Sequence, residues 1–136
     1  MDISSFIKPK NQVILVYSDH SIHDALEIME KSRFTSIPII NRKGEYFGTL
    51  TEGDLLWEIK NNAQFNIKKA EKITVGEMQR LRDYESIHIN SNIDQLILKA
   101  SNENFVPVID DQNQFVGIVT RKTLLDYFFD HKFIVL

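Results

Sequence analysis

The sequence predicts an α/β (α+β) chain built from two β-α-β-β-α repeats, and three observations predict it. One offset places Pro38 on Pro107, Gly48 on Gly117 and Thr51 on Thr120 without a gap. Over that span "PIINRKGEYFGTLTEGDLLWEI" lies on "PVIDDQNQFVGIVTRKTLLDYF", with Ile40/Ile109, Leu55/Leu124 and Leu56/Leu125 identical. Upstream of each proline, apolar residues recur at helical spacing: Ile22, Leu26 and Met29 in the first half, Ile93, Ile97 and Ala100 in the second. Two residues are missing between that helix and Pro107, and the gap is expected in the loop after the helix.

Each half opens on a short strand, "QVILV" or "SIHI", followed by a helix with a polar N-cap, Ser21 or Asn92. A strand through the proline follows ("SIPII"; "VPVID"), then a turn ("NRKGE"; "DDQNQ") and a further strand ("YFGTL"; "FVGIV"). A second helix closes each half, "GDLLWEIKNN" or "KTLLDYFFD". In it Leu55, Leu56 and Ile59 are expected to form a core stripe with Trp57 facing away, and Phe128 with Phe129 broadens the second stripe. Apolar residues on more than one face suggest a partner surface. The segment between the halves is polar, without a Gly/Ser-rich linker. A half of about 60 residues has little core of its own, so the halves are expected to pack together. The boundaries follow: residues 1–71 as the first repeat with its N-terminal segment and linker, and residues 72–136 as the second with its tail.

Composition narrows the function. With 16 basic against 19 acidic residues the chain is not a nucleic-acid binder by bulk charge, and any basic site must be local. The absence of cysteine excludes disulfides, thiolate metal sites and cysteine nucleophiles. No apolar run approaches the roughly 20 residues of a membrane helix, and "MDISSFIKPKN" lacks a signal-peptide pattern, so a soluble cytoplasmic protein is expected. His20 and His23 in "DHSIHD" span a helix start, where a surface cap is the simpler reading than a metal site. No Ser-His-Asp order, phosphate loop or carboxylate pair stands out, so an enzyme is not expected. "RLRDY" at Arg80–Tyr84 offers a cation near a cleft, with a solvated loop as the simpler reading, and the tail "KFIVL" at Lys132–Leu136 is β-prone and apolar, suited to docking on the module, pairing in a dimer or binding another protein.

The two proline-to-threonine blocks, with "ITVGEM" at Ile73–Met78 leading into the second, resemble the tandem cystathionine-β-synthase (CBS) domain pair, or Bateman module. The resemblance covers roughly Phe6 to Asp130. It implies two repeats packed through their sheets with pseudo-two-fold symmetry, leaving clefts that bind adenosine-containing nucleotides such as AMP, ATP, S-adenosylmethionine or cyclic di-AMP. Binding there is regulatory, no cofactor is required, and the second helices commonly mediate homodimerisation. Each cleft takes the threonine motif of one repeat and the proline strand of the other. One would join Thr120, Arg121 and Lys122 to Phe34, Thr35, Ser36 and Ile37; the other would join Thr51 and Asp54 to Asn104, Phe105 and Val106.

Chemistry supports those positions. A threonine that ends a strand just before a helix can present its hydroxyl and the next N–H groups to a phosphate, or simply cap the helix. Asp54 can accept from both hydroxyls of a ribose, or sit as a favourable acid in a first helical turn. Thr123 stands where that aspartate would be in the second motif, while Arg121 and Lys122 bring two positive charges suited to phosphates. "FTS" offers small hydroxyls to an adenine edge, with Phe34 and Ile37 as apolar walls. Phe105, in place of Ser36, either stacks on a base or fills its cleft. AMP, ADP or ATP would favour Thr51 and Asp54. Cyclic di-AMP, with two phosphates and no free 3′-hydroxyl, better suits Thr35, Ser36, Thr120, Arg121 and Lys122, as in small stand-alone CBS proteins of Gram-positive bacteria. The expectation is a stand-alone homodimeric sensor acting on an effector protein; the rival is a structural module whose clefts stay empty.

Overall fold

A computed structural model describes residues 3–62, 66–80 and 83–130; the "KFIVL" tail and residues 81–82 of "RLRDY" lie outside the described residues. In chain order the elements are β1 (Lys8–Pro9), β2 (Val16–Tyr17), α1 (Ile22–Ser32), β3 (Ser36–Ile40), β4 (Tyr46–Thr51), α2 (Glu52–Asn61), α3 (Ile67–Ala70), β5 (Ile87–His88), α4 (Ile93–Ala100), β6 (Phe105–Ile109), β7 (Phe115–Thr120) and α5 (Arg121–Asp130). They form two compact units, Ile14–Asp83 and Met1–Val13 with Tyr84–Leu136. Mixed α/β is thus the fold class of both.

In the first unit the strand order is β2-β3-β4, parallel then antiparallel; the second carries the equivalent β5-β6-β7 with β1 added outside β7. The duplication extends to detail, because β3–β4 and β6–β7 share the same register and bulge at Ile39/Ile40 and Val108/Ile109. It also explains how a proline survives in a central strand. β2 pairs only with Ile39 and Ile40, and β5 only with Val108 and Ile109. Pro38 and Pro107 therefore lie where that side of the ladder is unpaired, and their missing N–H groups break no strand bond.

Ser21 and Asn92 cap α1 and α4 through full capping boxes with Asp24 and Gln95, as their sequence positions predict. The inward stripe differs from the predicted one. It runs Ile22, Ala25, Met29 in α1 and Leu96, Ala100 in α4, with Ile93 partly buried, while Ile97 is 37% exposed. Both i+3 and i+4 satisfy helical spacing, and the sheet selects the i+3 residue. The missing residues also fall elsewhere than expected: α1 has 11 residues and α4 has 8, so the helix itself is shortened. "QVILV" gives only the two-residue β2, because its earlier part has no strand to pair with; Lys10–Gln12 makes a 3-10 turn instead.

The expected Leu55-Leu56-Ile59 stripe is corrected too. Leu55 and Leu124 are buried, but Leu56, Ile59, Leu125 and Phe129 are 61%, 46%, 49% and 61% exposed. Asp54 and Leu55 anchor α2 through its first turn, while α5 is anchored by the buried Leu124 and the partly buried Tyr127 and Phe128; each helix leaves other apolar side chains outside. "ITVGEM" packs into the Ile14–Asp83 unit, where Val75 and Met78 join the core around Ile22 and Leu50.

The repeated glycine now has a cause. A Cβ on Gly117 would lie 2.2 Å from the Lys8 carbonyl oxygen, because β1 crosses there and pairs Lys8 with Ile118 and Pro9 with Gly117. A Cβ on Gly48 would lie 2.4 Å from Asp83 Oδ1, which accepts a 3.0 Å hydrogen bond from the Thr49 N–H on the free edge of β4. A strand and a carboxylate therefore occupy equivalent places.

Candidate functional site

Each repeat builds a strand-to-helix corner at its threonine. In the first, the Thr51 hydroxyl accepts from the Asp54 N–H at 3.1 Å and the Asp54 carboxylate accepts from the Thr51 N–H at 3.0 Å. This capping box leaves Asp54 2% exposed. The Glu52 N–H donates to the Thr35 carbonyl at 3.0 Å, and Ser36 pairs with Thr51, so the "FTS" strand and the motif are held side by side. Thr35 and Phe34 are exposed, Ser36 is half-buried, and Ile37 lies in the core.

The second corner keeps the backbone and changes the chemistry. The Arg121 N–H donates to the Asn104 carbonyl at 3.0 Å, and Phe105 pairs with Thr120. Thr120 accepts from the Thr123 N–H at 3.1 Å, and the two hydroxyls bond at 2.8 Å, a cap with no carboxylate. Asn104 is exposed and Val106 is core. Phe105 is 5% exposed, with its ring 4.9 Å from that of Tyr84, so it fills its own unit.

The two cations at this corner differ. Lys122 bonds to Asp126 at 2.7 Å along the outside of α5, and that hydrogen bond raises its pKa above the usual lysine value. Arg121 donates from Nε to the Ala100 carbonyl at 3.0 Å. Its terminal nitrogens make no bond to the described residues, so a held guanidinium presents its fork beside the start of α5.

A cavity of about 520 Å³, lined by Asp54, Trp57, Glu58, Asn61, Gln79 and Arg80, opens along α2. Sequence reasoning named Asp54 there but not Glu58, Asn61 or Gln79. The signal was present, since Trp57, Glu58 and Asn61 follow Asp54 at i+3, i+4 and i+7 on one helix face. Arg80 is not the solvated cation that the loop suggested. Its side chain is 11% exposed, pairs with Asp83 at 2.9 Å and lies over the Phe47 ring at 5.0 Å. Among the described residues no cluster of metal-ligating side chains is present, and no helix is long and apolar enough to cross a membrane.

Comparison with known proteins adds identity to this geometry. The CBS domain model matches twice, over residues 3–61 and 75–130. Cyclic di-AMP receptor B of Bacillus subtilis (strain 168) is 27% identical over 123 residues, covering 90% of this chain and 83% of that protein. The crystal structure of CbpB in complex with c-di-AMP has a TM-score of 0.88 at 24% identity, covering 98% of this chain and 89% of that one. CBSX2 in complex with AMP has a TM-score of 0.76 at 23% identity, covering 96% and 98%. Those two structures share the fold. With two copies of the family model across most of its length, and the same strand register in both, the chain belongs to the CBS-domain family.

Proposed function

We propose that this chain is a non-catalytic regulatory module that binds an adenosine nucleotide at its strand-to-helix corners and passes the occupancy to an effector protein. Cyclic di-AMP is the first ligand on this reading, ahead of AMP, ADP or ATP. The observation that carries it is Arg121, which directly follows Thr120: its guanidinium is held by one hydrogen bond, from Nε to Ala100, and its terminal nitrogens make no bond to the described residues. Such a fork fits phosphate oxygens. The likeness to a cyclic di-AMP receptor supports the choice of ligand. Thr120, Arg121 and Lys122 would meet phosphate, and Phe34, Thr35, Ser36 and the backbone of Ile37, whose side chain lies in the core, the base. Thr51 and Asp54, with Asn104, Phe105 and Val106, would make a second, weaker or unused position. The exposed apolar faces of α2 and α5 support a homodimer. The module works in the cytoplasm, without a cofactor, nucleic acid or membrane.

Isothermal titration calorimetry with cyclic di-AMP, AMP and ATP tests the reading. Cyclic di-AMP should bind, and Arg121→Ala should weaken it about 10- to 100-fold, the loss of a charge-assisted contact. Heat from none of the three ligands would leave the structural module as the better reading. Cyclic di-AMP binding that survives Arg121→Ala but not Asp54→Ala would move the ligand to the other corner.

A further inference from the structure

Helix α4 ends without the device that ends α1. The α1 helix stops at Arg33, which takes the left-handed conformation (φ 63°) and donates its N–H to the Met29 carbonyl. The shortened α4 has no such residue; Ser101 stays in the right-handed region. Its last four carbonyls must still find donors. The Ser101 N–H serves Ile97, the Ser101 hydroxyl serves Leu98 at 2.8 Å, and the Asn102 N–H serves Lys99. The Ala100 carbonyl is served by Arg121 Nε, from the first residue of the ligand-motif helix. At the equivalent position of the first repeat stands Glu52, which has no N–H in its side chain to donate.

We infer that Arg121 is the coupling element of the second repeat: one side of its guanidinium closes the C-terminus of α4, the other takes the ligand's phosphate, and occupancy is transmitted to α4. The inference rests on the proposed contact between Arg121 and phosphate. Without ligand the guanidinium is held at one point and can swing about it. A phosphate on the terminal nitrogens fixes the plane, and with it the Nε–H aimed at Ala100. The last turn of α4 then frays less. That turn carries Leu98, 72% exposed, next to Lys99, so the responding element is also a surface element. Among the described residues helix α1 receives no such arm, which makes the response one-sided despite the duplicated fold.

Amide hydrogen exchange on the whole chain, read over residues 97–104 with and without cyclic di-AMP, tests this. Calorimetry on the same samples reports binding separately. In wild type, cyclic di-AMP should slow exchange at Ser101 and Asn102. Without ligand, Arg121→Ala should speed it about fivefold or more, the loss of one buried carbonyl's partner. Arg121→Lys keeps the charge but not the fork, so it should retain measurable binding and lose the α4 response. Binding without any change at residues 97–104, or a wild-type response in Arg121→Lys, overturns the coupling and leaves the ligand reading standing. Unchanged exchange in unliganded Arg121→Ala also overturns it. Absence of binding to wild type overturns both readings, and calorimetry identifies that case.

Discussion

Substituting alanine for glycine at three motif positions should give three different results. Alanine at position 117 would place its Cβ 2.2 Å from the Lys8 oxygen and 2.8 Å from Ile7 Cγ2, so β1 must move away. Its backbone bonds to β7 contribute about 1 kcal/mol each, and overpacking costs about 1–3 kcal/mol. Against this stands a gain of about 0.4–1 kcal/mol from stiffening the unfolded chain. The net expectation for Gly117→Ala is a loss of about 2–3 kcal/mol. At Gly48 the obstacle is the Asp83 carboxylate, a side-chain end that can rotate aside, so Gly48→Ala should cost about 1–2 kcal/mol through the lost Thr49 bond. Gly53 lies inside α2, and its added Cβ would meet nothing closer than Thr51 Oγ1 at 3.7 Å. Gly53→Ala should therefore stabilise the chain by about 0.5–1 kcal/mol. Urea denaturation followed by circular dichroism measures all three, and hydrogen exchange over residues 4–12 reports release of β1. Gly117→Ala as stable as wild type, or a Gly53→Ala variant that falls with it, would refute the reasoning.

The other predictions concern caps, stripes and charges. Asp54→Ala removes one arm of the α2 capping box and should lower stability by about 1–2 kcal/mol in the same urea assay; wild-type stability would mean that the box is dispensable. Leu96→Ala should cost about 2–5 kcal/mol, because Leu96 is fully buried, whereas Ile97→Ala should cost under about 1 kcal/mol; the reverse order would restore the i+4 stripe. Hydrogen bonds from Arg42 and Lys99 lower the pKa values of Asp19 and Glu85. A depressed carboxylate stabilises the fold above its unfolded pKa and loses that contribution as pH falls through the folded value. Acid titration should thus show a shallower stability loss below about pH 4 in Asp19→Asn than in wild type, and identical acid limbs would contradict the assignment.

What was legible in the sequence is what short-range chemistry dictates. Ser21, Asn92, Pro38 and Pro107 fix caps and strands because their constraints act within a few residues. The duplication made the register of β3–β4 and β6–β7 readable, since one copy checks the other. Illegible features depend on distant partners. Nothing local in "IKPKN" announces that Lys8 pairs with Ile118, nor does "RLRDY" announce that Asp83 docks beside Gly48. Helix facing was ambiguous for a different reason: Leu96 and Ile97 both satisfy a helical period, and only the position of the sheet chooses. At the candidate site, Arg121 was legible as a cation near the threonine. Its bond to Ala100 was not, because it depends on α4 ending early.

The edge of β4 bears on how this chain is made. Residues 14–83 are contiguous and emerge from the ribosome as a complete unit, while β1 must wait for Gly117 and Ile118 to be synthesised. During that wait, the edge of β4, the internal copy of β7, is a surface that resembles its partner. Asp83 places a carboxylate on the very N–H that a docking strand would use. A charge at a strand edge discourages pairing, so the side chain that replaces a strand in the first repeat also guards it against capturing the wrong one.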